Sequence, residues 1–123
     1  MRAWLLTDTT GIDALRLEEV DTPEPGPGEV RIELRASGLN HLDLWVSKAL
    51  PAPPSLPHIL GGDGAGVIDA VGEGVDGLAV GDEVVIDPSL SCGQCDACLR
   101  DEIVYCSEFG ILGEEHTGTL AEY

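Results

Sequence analysis

The run SCGQCDACLRDEIVYC sets Cys92, Cys95, Cys98 and Cys106 in the pattern C-x2-C-x2-C-x7-C, four thiols within 15 residues. Two short CxxC steps wrap one side of a tetrahedral ion, and the seven-residue gap returns the fourth ligand. Four thiolates fill the coordination sphere of zinc, so an ion held there braces the loop and leaves no open position for chemistry. Disulfides are disfavoured in a reducing compartment, and bridges between nearest-neighbour CxxC pairs would be strained. The bacterial iron–sulfur run has a short third gap and a following Pro, whereas here the gap is seven and Ser107 follows Cys106. The spacing predicts one structural zinc.

A chain of 123 residues holds one domain with a modest core. Aromatic residues make up only 4%, so Val, Leu, Ile and Ala must fill that core, and 16 Gly with 8 Pro suit a loop-rich β protein. Six basic against 23 acidic residues leave a net charge of −17, which repels nucleic acid and anionic membrane as partners. No stretch of the chain approaches the length of a membrane span, and MRAWLLTDTTG lacks a secretory leader's apolar run and cleavage site, so a cytoplasmic location is expected.

Residues 2–7 and 15–20 read as short strands around the turn-prone DTTGID, and TPEPGPGE at 22–29 reads as a loop. VRIELRAS at 30–37 alternates Val30, Ile32, Leu34 and Ala36 against polar neighbours, the pattern of a half-buried strand. NHLDLWVSKAL at 40–50 has helical spacing for one or two turns, stopped by PAPPSLP at 51–57. Strands are expected at 64–72, within GDEVVID, and from GTLAEY at 118–123, with a cysteine lobe at 88–109 between them. Many short strands without long helices predict a mainly β, partly open barrel with short helical turns.

These segments, in this order, resemble the N-terminal GroES-like domain of the medium-chain dehydrogenase/reductase family, which includes zinc-type alcohol dehydrogenases and quinone reductases. PGPGEVRIELRASGLNHLD, GGDGAGVIDAVGEGVDGLAVGDEV, the cysteine lobe and GTLAEY carry the resemblance. It implies that residues 1–123 are the substrate-side domain of a longer enzyme. The Rossmann domain that binds NAD(P)H lies outside this chain, and the isolated fragment is expected to be inactive. GGDGAG at 61–66 lacks a following helical pattern, so it does not read as a nucleotide fingerprint.

Zinc-type members carry a second, open zinc that polarises the substrate oxygen. The resemblance puts its Cys, His and Glu ligands at Asn40, Gly62 and Asp63. Gly62 offers no ligand, and an amide is a poor zinc ligand beside a thiolate. GLNHLD is instead similar to the GLNxxD stretch of zinc-independent quinone and enone reductases. The resemblance therefore implies NAD(P)H-dependent reduction of a quinone or α,β-unsaturated carbonyl by direct hydride transfer, with structural but no catalytic zinc.

In that scheme Asn40 donates to the substrate oxygen, Asp43 orients its neighbours and His41 faces the cofactor pyrophosphate. Asn40 is equally readable as a turn residue, His41 as an exposed helix-start residue and Asp43 as a first-turn cap. Trp45 is expected in the core, and His58 and His116 on the surface. Two alternatives stand beside this: an alcohol dehydrogenase with a catalytic metal rebuilt from groups such as His41, Asp63 and His58, and a non-enzymatic binding module. The resemblance further implies a small-molecule substrate and a dimeric or tetrameric parent.

Overall fold

The computed structural model describes residues 1–123. β1 (Arg2–Leu6) pairs antiparallel with β2 (Leu15–Glu19), Arg2 opposite Glu19 and Leu6 opposite Leu15. β1 turns Ala3, Leu5 and Leu6 inward and leaves Arg2 and Trp4 exposed. The second sheet has the order β3-β5-β6, built from β3 (Val30–Ser37), β5 (Gly64–Val71) and β6 (Glu83–Val85). β4 (His58–Ile59) joins the far side of β1, and β7 (Ser89–Leu90) pairs with β8 (Gly110–Ile111) at the cysteine lobe. Three small open sheets with two short α-helices make the chain mainly β. No helix is long and apolar enough to cross a membrane.

The inward residues of β5 are Gly64, Gly66 and Ile68. A Cβ on Gly66 would collide with the Glu33 carbonyl and Ile32 Cγ2 of β3. Glycine therefore lets the two strands close over a bulged register, with shifts at Arg31/Ile32 and Leu34/Ala36. GGDGAG accordingly feeds a strand rather than a helix. Arg31 on β3 grips Asp69 on β5 with two 2.9 Å bonds, and its guanidinium lies 5.4 Å from the Tyr123 ring centroid.

The strand expected at 118–123 does not form a ladder. Gly118, Thr119 and Leu120 donate to the carbonyls of Ile59, Gly61 and Leu60. The Trp4 N–H then donates to Leu120, and the Leu34 N–H to Glu122. The segment changes partner every residue or two and so links the first sheet to the second. It also completes the core, because Leu120 packs on both buried clusters: Leu6, Ala14, Val46 and Leu60 in one, Ala3, Leu5 and Ile59 in the other.

Two expectations fail here. Trp45 is 54% exposed, because α1 (His41–Val46) turns Leu42 and Val46 to the core instead. His58 is buried at 5% exposure, since its strand pairs it with Leu6. Its Nε2 has no hydrogen-bond partner. Burial lowers the His58 pKa from the ordinary 6.5, opposed by a backbone hydrogen bond at Gly113. The unfolded chain thus takes up this proton near pH 6.5 and the folded chain only below it. Stability from His58 should hold above pH 6.5 and fall as pH drops through the lower folded value. Urea unfolding between pH 7 and 5 should show a shallower decline for His58→Gln than for the parent; identical slopes would contradict the burial argument.

Candidate functional site

α1 starts at the site that matters most. Asn40 is its N-cap, with extended backbone (φ −125°, ψ 162°), and Asp43 stands three residues on. Asp43 Oδ2 accepts the Asn40 backbone N–H at 2.7 Å, the reciprocal half of a capping box. Its Oδ1 accepts the Gly61 N–H at 2.8 Å. Asp43 is 7% exposed, so one buried carboxylate satisfies two backbone donors and fastens α1 to the turn between β4 and β5. The helix ends where Ser47 Oγ donates back to the Leu44 carbonyl, just ahead of the proline stretch.

Across that turn, Asn40 Nδ2 donates to Asp63 Oδ2 at 2.9 Å. The Asp63 carbonyl is held in turn by the Gly38 N–H at 3.0 Å and Thr119 Oγ1 at 2.8 Å. Gly61 takes φ +100°, and a Cβ there would strike Thr119 Oγ1 at 2.7 Å, so glycine is required where the turn meets the terminal segment. Asp63 is thereby anchored through its backbone while its side chain stays exposed.

Asn40, His41 and Asp43 line one wall of a cavity of about 370 Å³, and Ile12, Leu15, Leu39, Leu44, Leu60 and Leu120 supply its apolar remainder. An apolar cleft with a few convergent polar groups is the usual form of a small-molecule site. His41 lies 6.2 Å from the Trp45 ring, tilted by 38°.

The four cysteines form a separate centre. β7 delivers Cys92; Gly93 takes φ +71° to turn the chain; Cys95 caps α2 (Asp96–Leu99), which carries Cys98. A 3-10 turn over Ile103–Tyr105 then presents Cys106. The sulfurs lie 3.6 Å (Cys95–Cys98), 3.6 Å (Cys92–Cys106) and 3.9 Å (Cys92–Cys98) apart, all four within 4.8 Å. A tetrahedron of thiolates about 2.3 Å from zinc has edges of about 3.8 Å, so the residues present fit that ion. The Cys98 thiol is pulled down to about 7, chiefly by hydrogen bonding to Ser91 and then by the neighbouring thiols and Gly93 N–H. Cys106 moves up to about 11: its backbone contacts at Cys92 and Glu108 pull down, and burial with the thiols of Cys92 and Cys98 outweighs them. Zinc would replace the shared protons of such a cluster.

No other three His, Cys, Asp or Glu bring ligand atoms together. At the positions that the resemblance gives to the open zinc's ligands, Gly62 has no side chain and the Asn40 amide gives one N–H to Asp63. That leaves one carboxylate, which does not fit a catalytic metal. His41, His58 and Asp63 do not form a ligand group either.

Residues 26–123 match the family model of the alcohol dehydrogenase GroES-like domain. The chain belongs to that family. This GroES-like domain is 42% identical over 112 residues to an alcohol dehydrogenase of Moraxella sp. (strain TAE123), covering 89% of this chain and 33% of the relative. A solved NAD-dependent alcohol dehydrogenase superposes with TM-score 0.95 at 53% identity, over 99% of this chain and 36% of the other. A cobalt- and zinc-bound thermostable alcohol dehydrogenase from Pyrobaculum aerophilum does so with TM-score 0.91 at 40% identity, over 99% and 37%. The chain therefore spans about a third of the length of the relatives it matches.

Within the GroES-like domain, sequence reasoning placed Asn40, His41 and Asp43 together through one short motif. It missed the Asn40–Asp63 bond and the part played by Thr119. Those contacts join positions 23 and 56 residues apart; the resemblance puts Asn40 and Asp63 at one centre, as positions of the open zinc's ligands, but not in a bond to each other.

Two outcomes test the site's construction. Asp43→Ala leaves two backbone donors without their charged partner and should destabilise by about 3 kcal/mol in chemical denaturation; a loss below about 0.5 kcal/mol would contradict the pinning role. Cys106→Ser should lose zinc and open residues 88–109 to protease while the far-UV β signal persists. Parental protease resistance in a zinc-free variant would refute the brace.

Proposed function

We propose that residues 1–123 form the N-terminal, substrate-side domain of a nicotinamide-dependent oxidoreductase. It holds one structural zinc and meets its substrate oxygen with side chains instead of a catalytic metal. The Asn40–Asp63 hydrogen bond carries this reading, because it joins two of the three positions that the resemblance gives to an open zinc's ligands, the third being Gly62. A nicotinamide held by a cofactor domain of the parent enzyme would supply the hydride in its reduced form or take it in its oxidised form. Asn40 offers an N–H to the substrate oxygen, Asp43 holds Asn40 in register, and His41 at the cleft's edge is placed to meet a cofactor phosphate. The apolar walls give the reacting carbon a low-polarity surround.

The nature of the polar pair and the names of the relatives both favour an alcohol–carbonyl couple over a quinone. A quinone or enone oxygen only accepts hydrogen bonds and is repelled by a nearby carboxylate, whereas an alcohol also donates. A second reading, reduction of a quinone or α,β-unsaturated carbonyl, is favoured by GLNHLD and by the absence of a fitting metal donor set. The cytoplasm and an oligomeric parent complete the proposal.

Full-length protein should be dialysed to constant metal content and assayed with NAD and NADP couples against alcohols, ketones, quinones and enones. Alcohol oxidation by protein with one zinc per chain is the expected result. Turnover of quinones and enones alone would give the lead to the second reading. Activity that requires a second equivalent of zinc or cobalt would instead establish a metal-dependent dehydrogenase with ligands from outside this chain.

A further inference from the structure

Asp63 does not itself line the cleft but accepts a hydrogen bond from Asn40, which does, and it keeps one oxygen without a protein partner. Asp43, its neighbour in the network, has both oxygens taken by the N–H groups of Asn40 and Gly61. Asp63 spends only Oδ2, on Asn40 Nδ2, and its Oδ1 has no partner although the side chain is exposed. Its backbone is clamped by Gly38 and Thr119, and Ser37 Oγ in turn holds the Thr119 carbonyl at 2.6 Å. A Cβ on Gly38 would sit 3.0 Å from Asp63 Cβ, so the absence of a side chain there leaves the carboxylate room. A rigid backbone, a fixed rotamer and a free oxygen are the attributes of a group positioned to act.

The pair has a definite chemical complement. Asn40 Nδ2 carries two hydrogens, one given to Asp63, so the amide retains a donor beside a carboxylate that retains an acceptor. A hydroxyl, which donates and accepts at one oxygen, satisfies both. A ketone oxygen satisfies only the amide and faces the carboxylate unpaired.

We infer that Asp63 binds and deprotonates the hydroxyl group of an alcohol substrate whose oxygen is held by Asn40. The inference rests on the metal-free reading above and adds to it the proton acceptor. In the step, the substrate O–H bond breaks and its proton passes to Asp63 Oδ1. The carbinol C–H bond breaks, with its electron pair leaving as hydride to the oxidised nicotinamide, and a C=O bond forms. The alcohol is oxidised and the nicotinamide reduced; carbonyl reduction runs the same path backwards, Asp63 returning the proton.

The test uses full-length, metal-stable protein in two measurements. Equilibrium binding by saturation-transfer NMR compares cyclohexanol with cyclohexanone. The parent should prefer the alcohol by about tenfold or more, as a hydrogen bond to a charged group allows, and Asp63→Asn should erase the preference. Equal preference in parent and variant overturns the inference without any turnover being needed. For the reaction, Asp63→Asn should lower alcohol-oxidation kcat/KM by about 10²- to 10⁴-fold, the usual range for a lost general base. Nicotinamide binding should stay unchanged, which shows that the variant is folded. Asp63→Ala should recover rate on addition of formate, a small carboxylate that fits the space vacated. A fall of less than twofold, or a loss that formate never relieves, overturns the proton role while leaving the metal-free reading intact. A parent that oxidises no alcohol refutes the substrate reading itself.

Discussion

Everything near the cleft depends on where the Asp43 carboxylate ends up. Buried at 7% exposure without partners, it would strongly disfavour folding. With one oxygen on Asn40 N–H and the other on Gly61 N–H, it becomes a staple between a helix start and a strand-to-strand turn. Two elements far apart in the chain are thereby fixed at one point. That point fixes the Asn40 backbone in the cleft wall, while the β3–β5 ladder and the Gly38 N–H bring Asp63 up to it. The terminal segment reinforces it from the other side, because Thr119 donates to Asp63 and accepts from Ser37.

The cysteine centre and the polar groups of the cleft are separated in space and differ in kind. The cysteine lobe has four soft donors at the spacing of a closed tetrahedron, and its local turns are enough to assemble them. The cleft has an amide and a carboxylate, suited to exchanging hydrogen bonds and protons rather than to gripping a transition metal. The lobe hangs on β7 and β8, a sheet separate from the two that carry the cleft, so losing its ion need not disturb Asn40 or Asp63.

Much of this was legible in the residues, for identifiable reasons. The cysteine spacing is local, and a local pattern with one low-energy solution reads directly. The alternation over residues 30–37 became β3 with the same limits, and the GLNHLD stretch became an N-cap and a short helix. What escaped the sequence was non-local. His58 sits in a polar-looking loop beside prolines, yet strand pairing with Leu6 buries it. Trp45 has the hydrophobicity of a core residue but the wrong angular position, since Leu42 and Val46 already fill the inward stripe. GTLAEY has a strand's composition and is drawn into a bridge between two sheets. The Asn40–Asp63 contact forms where the end of the β3–β5 ladder, the Gly38 N–H on the Asp63 carbonyl and the Asp43 staple bring the two segments together.

Anomalous diffraction at the zinc edge, from crystals of the full-length protein soaked in millimolar zinc, tests the central claim most directly. The account predicts one strong peak, centred among the sulfurs of Cys92, Cys95, Cys98 and Cys106, with Asn40 and Asp63 still hydrogen-bonded to each other. A second peak of comparable height within bonding distance of the Asp63 carboxylate would contradict it, and the cleft would then be a metal site after all.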